Sequence, residues 1–373
     1  MPIESIEQQV IQEGYDRRSC WVQTRGAVLP GGRAVITTQR LLLSGSDVFF
    51  GINSLHSSDG GCSWTAPLEH AELGRRALGD GEICPCDGTP QWHAASGRLL
   101  LTGHIAVYRD SALARPYHHH TFYSVCDVDK RTWSPWQTLA LPANAPLRSC
   151  GAGCTQRVDL PNGDVLLPVY GNDHPENGCS QAVVLRCAFD GRNLRYLASG
   201  TPLSLPVPRG YGEPSLIEFG GRFFLTLRND VRGYVTAGDD GLAFAPPKPW
   251  CWDDGEEIGN YNTQQHWLKG GGKLYLVYTR RGANNDHVFR HRAPLFLAEV
   301  DTNRLCLLRA SERVVVPEKG ARLGNFGVTH VSDRESWVVV SEWMQTNPPN
   351  PSDCTVCERY GANNRLWLSR IKF

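Results

Sequence analysis

The stretch VLPGGRAVITT (residues 28–38) joins an apolar run to a β-branched run through Gly31-Gly32. This is the signature of a hairpin, because glycine supplies the positive φ that a two-residue turn needs. The same reading returns five times, as WHAASGRLLLTG (92–103), VDLPNGDVLLPVY (158–170), IEFGGRFFLTLR (217–228), WLKGGGKLYLVYT (267–279) and VSDRESWVVVSEW (331–343). Anchored on Gly32, Gly97, Gly163, Gly221, Gly272 and Glu335, the units recur at 65, 66, 58, 51 and 63 residues and account for the chain. A unit of this length holds a sheet of about four strands, and one such sheet cannot bury both faces alone. Radial stacking solves the problem, so the pattern predicts an all-β, six-bladed β-propeller. A β-sandwich also uses regular hairpins, but it would not repeat so long a unit six times. No linker interrupts the series, so residues 1–373 read as one domain.

Composition narrows the class further. The chain has 373 residues, 41% of them hydrophobic, with 38 Gly, 24 Pro, 11 Trp and 2 Met. That mixture suits short strands with tight turns and aromatic filling. Lys+Arg 38 against Asp+Glu 38 leaves no net charge, which argues against a nucleic-acid or membrane-surface partner. No apolar run approaches the roughly 18 residues that span a bilayer. The polar, acidic start MPIESIEQQVIQEGYDRRSC lacks an apolar signal core, so a cytoplasmic location is expected. Of 13 cysteines, the pairs Cys84–Cys86 and Cys354–Cys357 lack a standard zinc spacing. They read as buried thiols acting as small hydrophobes. No metal and no cofactor is expected.

An aspartate in a polar or glycine-containing turn follows most anchors, at Asp59, Asp127, Asp190 and Asp301, with Asp239 arriving early. The clearest turn is Ser57-Ser58-Asp59-Gly60-Gly61-Cys62-Ser63-Trp64. Its carboxylate can accept backbone N–H bonds within its own turn while Trp64 plugs between sheets. This octapeptide resembles the Asp-box, or BNR repeat, of the sialidase superfamily. The resemblance implies a sialidase-like propeller with these turns on the outer rim, making Asp59, Asp239 and Trp64 structural. It also implies an exo-acting glycoside hydrolase whose site lies at the central mouth and whose partner is a carbohydrate.

Residue by residue, Gly212-Glu213-Pro214 opening a strand that returns at Arg228 is similar to the sialidase segment holding the catalytic glutamate and a carboxylate-binding arginine. The hairpin between them brings both side chains to one end of the sheet. A glutamate beside an arginine stays ionised and can act as a base. Arg40 is a further candidate for substrate binding, and the loop after it carries Asp47 where the family keeps its acid/base aspartate. The polar run from Tyr278 to Arg292 offers Arg290 and Arg292 for an anionic group, since a guanidinium fork suits a carboxylate. Arg25 in Val22-Gln23-Thr24-Arg25-Gly26 stands near the family's opening arginine. Tyr261, Asn262, Gln264 and His266 resemble a sugar-binding loop, with amides for hydroxyls and rings for sugar faces.

One departure is chemical. Where the family has a tyrosine nucleophile, this chain reads Gly324-Asn325-Phe326. Direct attack by water, inversion and a carboxylate gap of roughly 6.5–9.5 Å then become the expectation. Two rivals stand beside it. A propeller lyase cutting next to a uronic acid would use a histidine or tyrosine such as Tyr211, with arginine on the carboxylate. A glycan-binding propeller would use the same mouth without turnover. The twelve histidines include His118-His119-His120, where strand alternation would turn His118 and His120 one way and His119 the other.

Overall fold

The computed structural model describes residues 3–43, 47–110, 112–114, 119–174, 178–347, 349–350 and 352–373. His118 lies outside them. The described strands pair into six sheets arranged as a β-propeller, antiparallel but for the short parallel pairing of Arg209–Gly210 with Cys179–Phe189. The hairpin anchors decide each sheet. Leu29 pairs with Arg33, His93 with Arg98, Phe219 with Arg222, Gly270 with Lys273 and Ser332 with Glu335 across the predicted turns. Gly32, Gly97, Gly163, Gly221 and Gly272 all hold positive φ, which any side chain would strain.

The innermost strands run Ser19–Leu29, Gly81–His93, Val158–Asp159, Gly212–Phe219, His266–Gly270 and Phe326–Ser332. They pack in a ring, with Ser19–Leu29 lying against both Gly81–His93 and Phe326–Ser332. The ring is closed within the last sheet, where Ser5–Gln12 pairs along its length with Leu366–Lys372. Apolar clusters fill the wedges between sheets. One joins Val277, Leu295, Leu297, Phe326, Val338 and Ile371, all fully buried. Each such side chain removed from water contributes about 1.5–3 kcal/mol.

The polar turns behave as their sequence suggests. Asp59 accepts from Ser57 Oγ at 2.8 Å, Ser63 N at 3.0 Å and Ser63 Oγ at 2.6 Å. These bonds, the Ser63 hydroxyl first, hold its pKa down at about 2. Trp64 meets Trp337 edge to face at 6.5 Å, on the neighbouring sheet. In the later copy the capping residue is Asp240, which accepts from Leu242 N and Ala243 N, whereas Asp239 is left in solvent. All 13 cysteines are free and ten are buried, so the thiols do pack as apolar filler. Among the described residues, no helix is long and apolar enough to cross a membrane.

Candidate functional site

Two cavities lie at opposite ends of the inner strands. The larger, of about 980 Å3, is lined by Glu213, Arg228, Arg290, Arg292, Arg322 and Asp47 among others. The smaller, of about 440 Å3, is lined by the far halves of the same strands, including Gly26, Gln91, Leu216 and Lys269.

The large cavity owes its wall to backbone irregularity. Register breaks fall between Val22 and Arg25, between Cys86 and Thr89, and between Gly212 and Ser215. Each break carries a non-glycine residue at positive φ: Gln23, Asp87 and Glu213. Cys154 and Asn262 take the same conformation on two further inner segments. A bulge re-aims a side chain that regular alternation would send elsewhere, and backbone strain of about 1–3 kcal/mol persists only where the surroundings enforce it. Gln23, Asp87 and Glu213 face the cavity as a result.

Glu213 pairs with Arg228, and both side chains are nearly buried. The other fork of Arg228 donates to Asn262 Oδ1 at 2.5 Å and lies 3.6 Å from Asp230. Burial works against the Arg228 charge, but Glu213 and Asp230 outweigh it and hold the pKa above its ordinary value. Asp230 is itself held by Arg209 at 2.5 Å. Asn262 also accepts from Arg290 Nη1 at 3.4 Å, and its carbonyl accepts from Arg292 Nε at 3.1 Å. One residue therefore aligns three guanidinium groups. Gly324 makes room, since a Cβ there would stand 2.4 Å from Arg292 Cδ. Burial, then the neighbouring Arg322, Arg228 and Arg290, pushes Arg292 well below the usual arginine range.

Asp47 lies exposed on the rim and contributes to the cavity wall. Tyr170 and His119 also line the cavity, their rings tilted at 53° with centroids 5.2 Å apart, and His119 meets His104 edge-on at 6.0 Å. Burial, then the charge of Glu213, raises the Tyr170 pKa well above that of a free phenol.

The sequence-predicted residues divide by depth. Glu213, Arg228, Arg290, Arg292 and Asp47 meet at the cavity, with Asn262 behind the arginines. Arg25 lies beneath it, fully buried, donating to Asp87 Oδ1 at 3.2 Å and Gln264 Oε1 at 2.9 Å. Gln264 is thus occupied by Arg25 and by the Phe326 carbonyl, and does not line the cavity. His266 is a core histidine whose Nδ1 meets Ser215 Oγ at 2.7 Å, and burial pushes its pKa well below 6.5. Tyr261 turns away from the cavity to bond His291 Nδ1 at 2.5 Å. Tyr211 packs edge-on against Tyr234 within the core. Arg40 points outward to Asp16 at 3.4 Å and covers the Trp21 ring. Asn325, not a tyrosine, occupies the last sheet's place on the wall, while Phe326 is buried.

Sequence reasoning missed Asp87, Arg209, Tyr170 and Arg322. Asp87 had a signal. Gln23, Asp87, Cys154, Glu213, Asn262 and Asn325 all stand eight to ten residues before the six turn anchors. Arg322 precedes its strand in an irregular segment and carried no such mark. Among the described residues, no three His, Cys, Asp or Glu groups converge to hold a metal ion.

No family model matches the chain, and no curated protein matches it. Solved structures do. A Dyadobacter fermentans protein of unknown function superposes with a TM-score of 0.69 at 14% identity, over 100% of both chains. A Hadza microbial sialidase gives 0.66 at 11% identity, over 98% of this chain and 68% of that one. Trypanosoma rangeli sialidase gives 0.63 at 14% identity, over 95% of this chain. The chain spans only 55% of the length of that sialidase. The fold is a sialidase-like β-propeller.

Proposed function

We propose that the six sheets are the six blades of one propeller domain over residues 1–373, and that its large mouth is the site of a glycoside hydrolase acting on a terminal acidic sugar. The observation that carries this reading is the Glu213–Arg228 pair set in a cavity wall beside Arg290 and Arg292. Arg290 and Arg292 take the sugar's carboxylate through charge-assisted hydrogen bonds. Glu213, held in place by Arg228, accepts a proton from the attacking water. Asp47, on the open rim, protonates the leaving oxygen. Asn325 leaves no phenol at the last blade, so water attacks the anomeric carbon directly and the configuration inverts. The Asp59 turn serves as an outer-rim Asp-box. Trypanosoma rangeli sialidase has been solved with sialic acid, which makes a sialoside the natural first substrate to try. A cytoplasmic setting completes the proposal.

A second reading has its own support. Tyr170, His119 and His104 line the same cavity as the arginines, which is the tyrosine, histidine and arginine set that elimination next to a uronic acid requires. In that case the base is Tyr170, which lines the cavity, rather than Tyr211, which does not.

Product analysis separates the two. The protein is incubated with sialosides, aryl glycosides and uronate polysaccharides, following near-ultraviolet absorbance and product masses. Free sugar with water added supports hydrolysis. An absorbing product without the added water supports elimination, and silence over the whole panel counts against both in favour of simple glycan binding.

A further inference from the structure

The charges on the cavity wall do not balance. Arg209 is paired with Asp230, Arg228 with Glu213, and Asp87 with the underlying Arg25. Arg290, Arg292 and Arg322 have no carboxylate within ion-pair distance among the described residues, and the wall offers only Asp47, also unpaired. Three unneutralised cations therefore share one pocket with one free acid. Two of them, Arg292 and Arg322, are each only 4% exposed. Burying a guanidinium unpaired is unfavourable, so such a cluster marks a place where an anion belongs.

Arg322 is built into its own corner. Its guanidinium lies 3.4 Å over the Trp343 ring and 5.0 Å from the Phe289 ring. Backbone bonds between Arg322 and Trp343, at 3.3 and 3.0 Å, fix the two together. The stacked faces hold the fork rigid and leave its edges free. Three buried polar atoms in this corner have no partner: Arg322 Nε, Trp343 Nε1 and Gln345 Oε1. All three residues line the cavity. Two orphan donors and one orphan acceptor beside a held cation make a polar subsite separate from the Asn262-aligned arginines. Burial pushes the Arg322 pKa down to about 9, and Arg290 and Arg228 act in the same direction against Asp47, which is still compatible with a charged guanidinium at neutral pH.

We infer that the Arg322–Trp343–Gln345 corner is a second anion subsite, and that the substrate is an acidic sugar bearing a further anionic oxygen group besides the carboxylate held by Arg290 and Arg292. Arg322 and the Trp343 indole donate to its oxygens, and Gln345 accepts from a neighbouring hydroxyl. This rests on the acidic-sugar reading above and adds the substrate class to it. A sulfate ester, a phosphate ester and a second carboxylate share the chemistry.

Calorimetric titration of the intact protein tests the inference without turnover. The probes are glucuronic acid and its O-sulfate and O-phosphate, N-acetylneuraminic acid and its O-sulfate, and digalacturonate. One charge-assisted bond to a buried guanidinium corresponds to roughly 10-fold to 100-fold in affinity. At least one doubly anionic probe is expected to bind that much more tightly than its singly charged parent. Which one does so identifies the group. In Arg322→Met the ratio between the two falls to about one, and in Arg322→Lys part of it returns. Should Arg322→Met fail to fold, the wild-type ratio still decides. Equal binding of single and double anions overturns the second subsite while leaving the acidic-sugar reading intact. Binding of neither class overturns both.

Discussion

Replacing Glu213 with glutamine removes a charge and little volume. The Glu213 and Arg228 side chains are 12% and 7% exposed, so solvent does little to screen the pair. In the variant, Arg228 keeps Asn262 at 2.5 Å and has Asp230 at 3.6 Å as its remaining counter-charge. Breaking one side of a buried pair costs about 3–5 kcal/mol, and the surviving Asp230 places this case near 3 kcal/mol. For a chain of this size the melting midpoint then falls by roughly 4 °C. The assay is urea and thermal unfolding of wild type, Glu213→Gln, Arg228→Met and the double variant. Once one partner has gone, losing the other adds little. The double variant is expected to fall short of the summed single effects by about 2 kcal/mol. The proposed catalytic role adds a separate readout, because the rate on a turned-over substrate drops by orders of magnitude in Glu213→Gln. Unfolding effects that add to within about 0.5 kcal/mol would falsify the view that these two charges hold one another.

Three further outcomes are expected. Arg25→Met leaves Asp87 buried without its cation, so it destabilises by about 3–5 kcal/mol, and the companion Asp87→Asn change in the same background recovers part of that loss in a denaturation series. Gly61→Ala forces a side chain onto φ +79° and brings its Cβ to 2.7 Å from the Trp337 ring, which costs about 1–3 kcal/mol; a midpoint within error of wild type would refute the fit of that turn. Burial, then Arg131 and His70, lowers the His56 pKa to about 4, and burial lowers those of His104 and His266 too. These imidazoles are neutral when folded, whereas the unfolded chain takes up protons near pH 6.5. Their contribution is complete above pH 6.5 and is lost as pH falls toward 4. Melting midpoints should fall from pH 7 to pH 4 and fall less in His56→Gln; a flat profile would contradict the buried-neutral assignment.

Hairpin periodicity was readable because glycine turns and alternating apolar runs are local properties. Glu213 and Arg228 were readable for the same reason, since the Phe219–Arg222 turn returns one to the level of the other. Depth was not. Residues 262–265 precede the strand His266–Gly270 and Asn262 holds positive φ, so strand alternation does not sort them: Asn262 reaches the cavity arginines, while Gln264 and His266 are held in the interior by Arg25 and Ser215. Tyr261, just before that positive φ, is drawn instead to His291. Arg40 faces outward because its strand pairs it with Trp21, on the side where Asp16 waits. Arg322 was invisible because its role arises from Trp343 and Phe289, contacts set by the closed ring rather than by neighbours in sequence.

That ring closes by a pairing between Ser5 and Lys372 at one end and Gln12 and Leu366 at the other. During synthesis, Ser5–Gln12 has no partner until Leu366–Lys372, more than 350 residues later, has been made. Throughout that interval Ser5–Gln12 has no sheet to join, and its unpaired edge is open to other chains. Newly made copies crowded on one message are therefore most exposed to exchanging first strands with each other. The polar residues Glu7, Gln8 and Gln9 within that strand are well suited to keeping the waiting segment soluble until its own partner arrives.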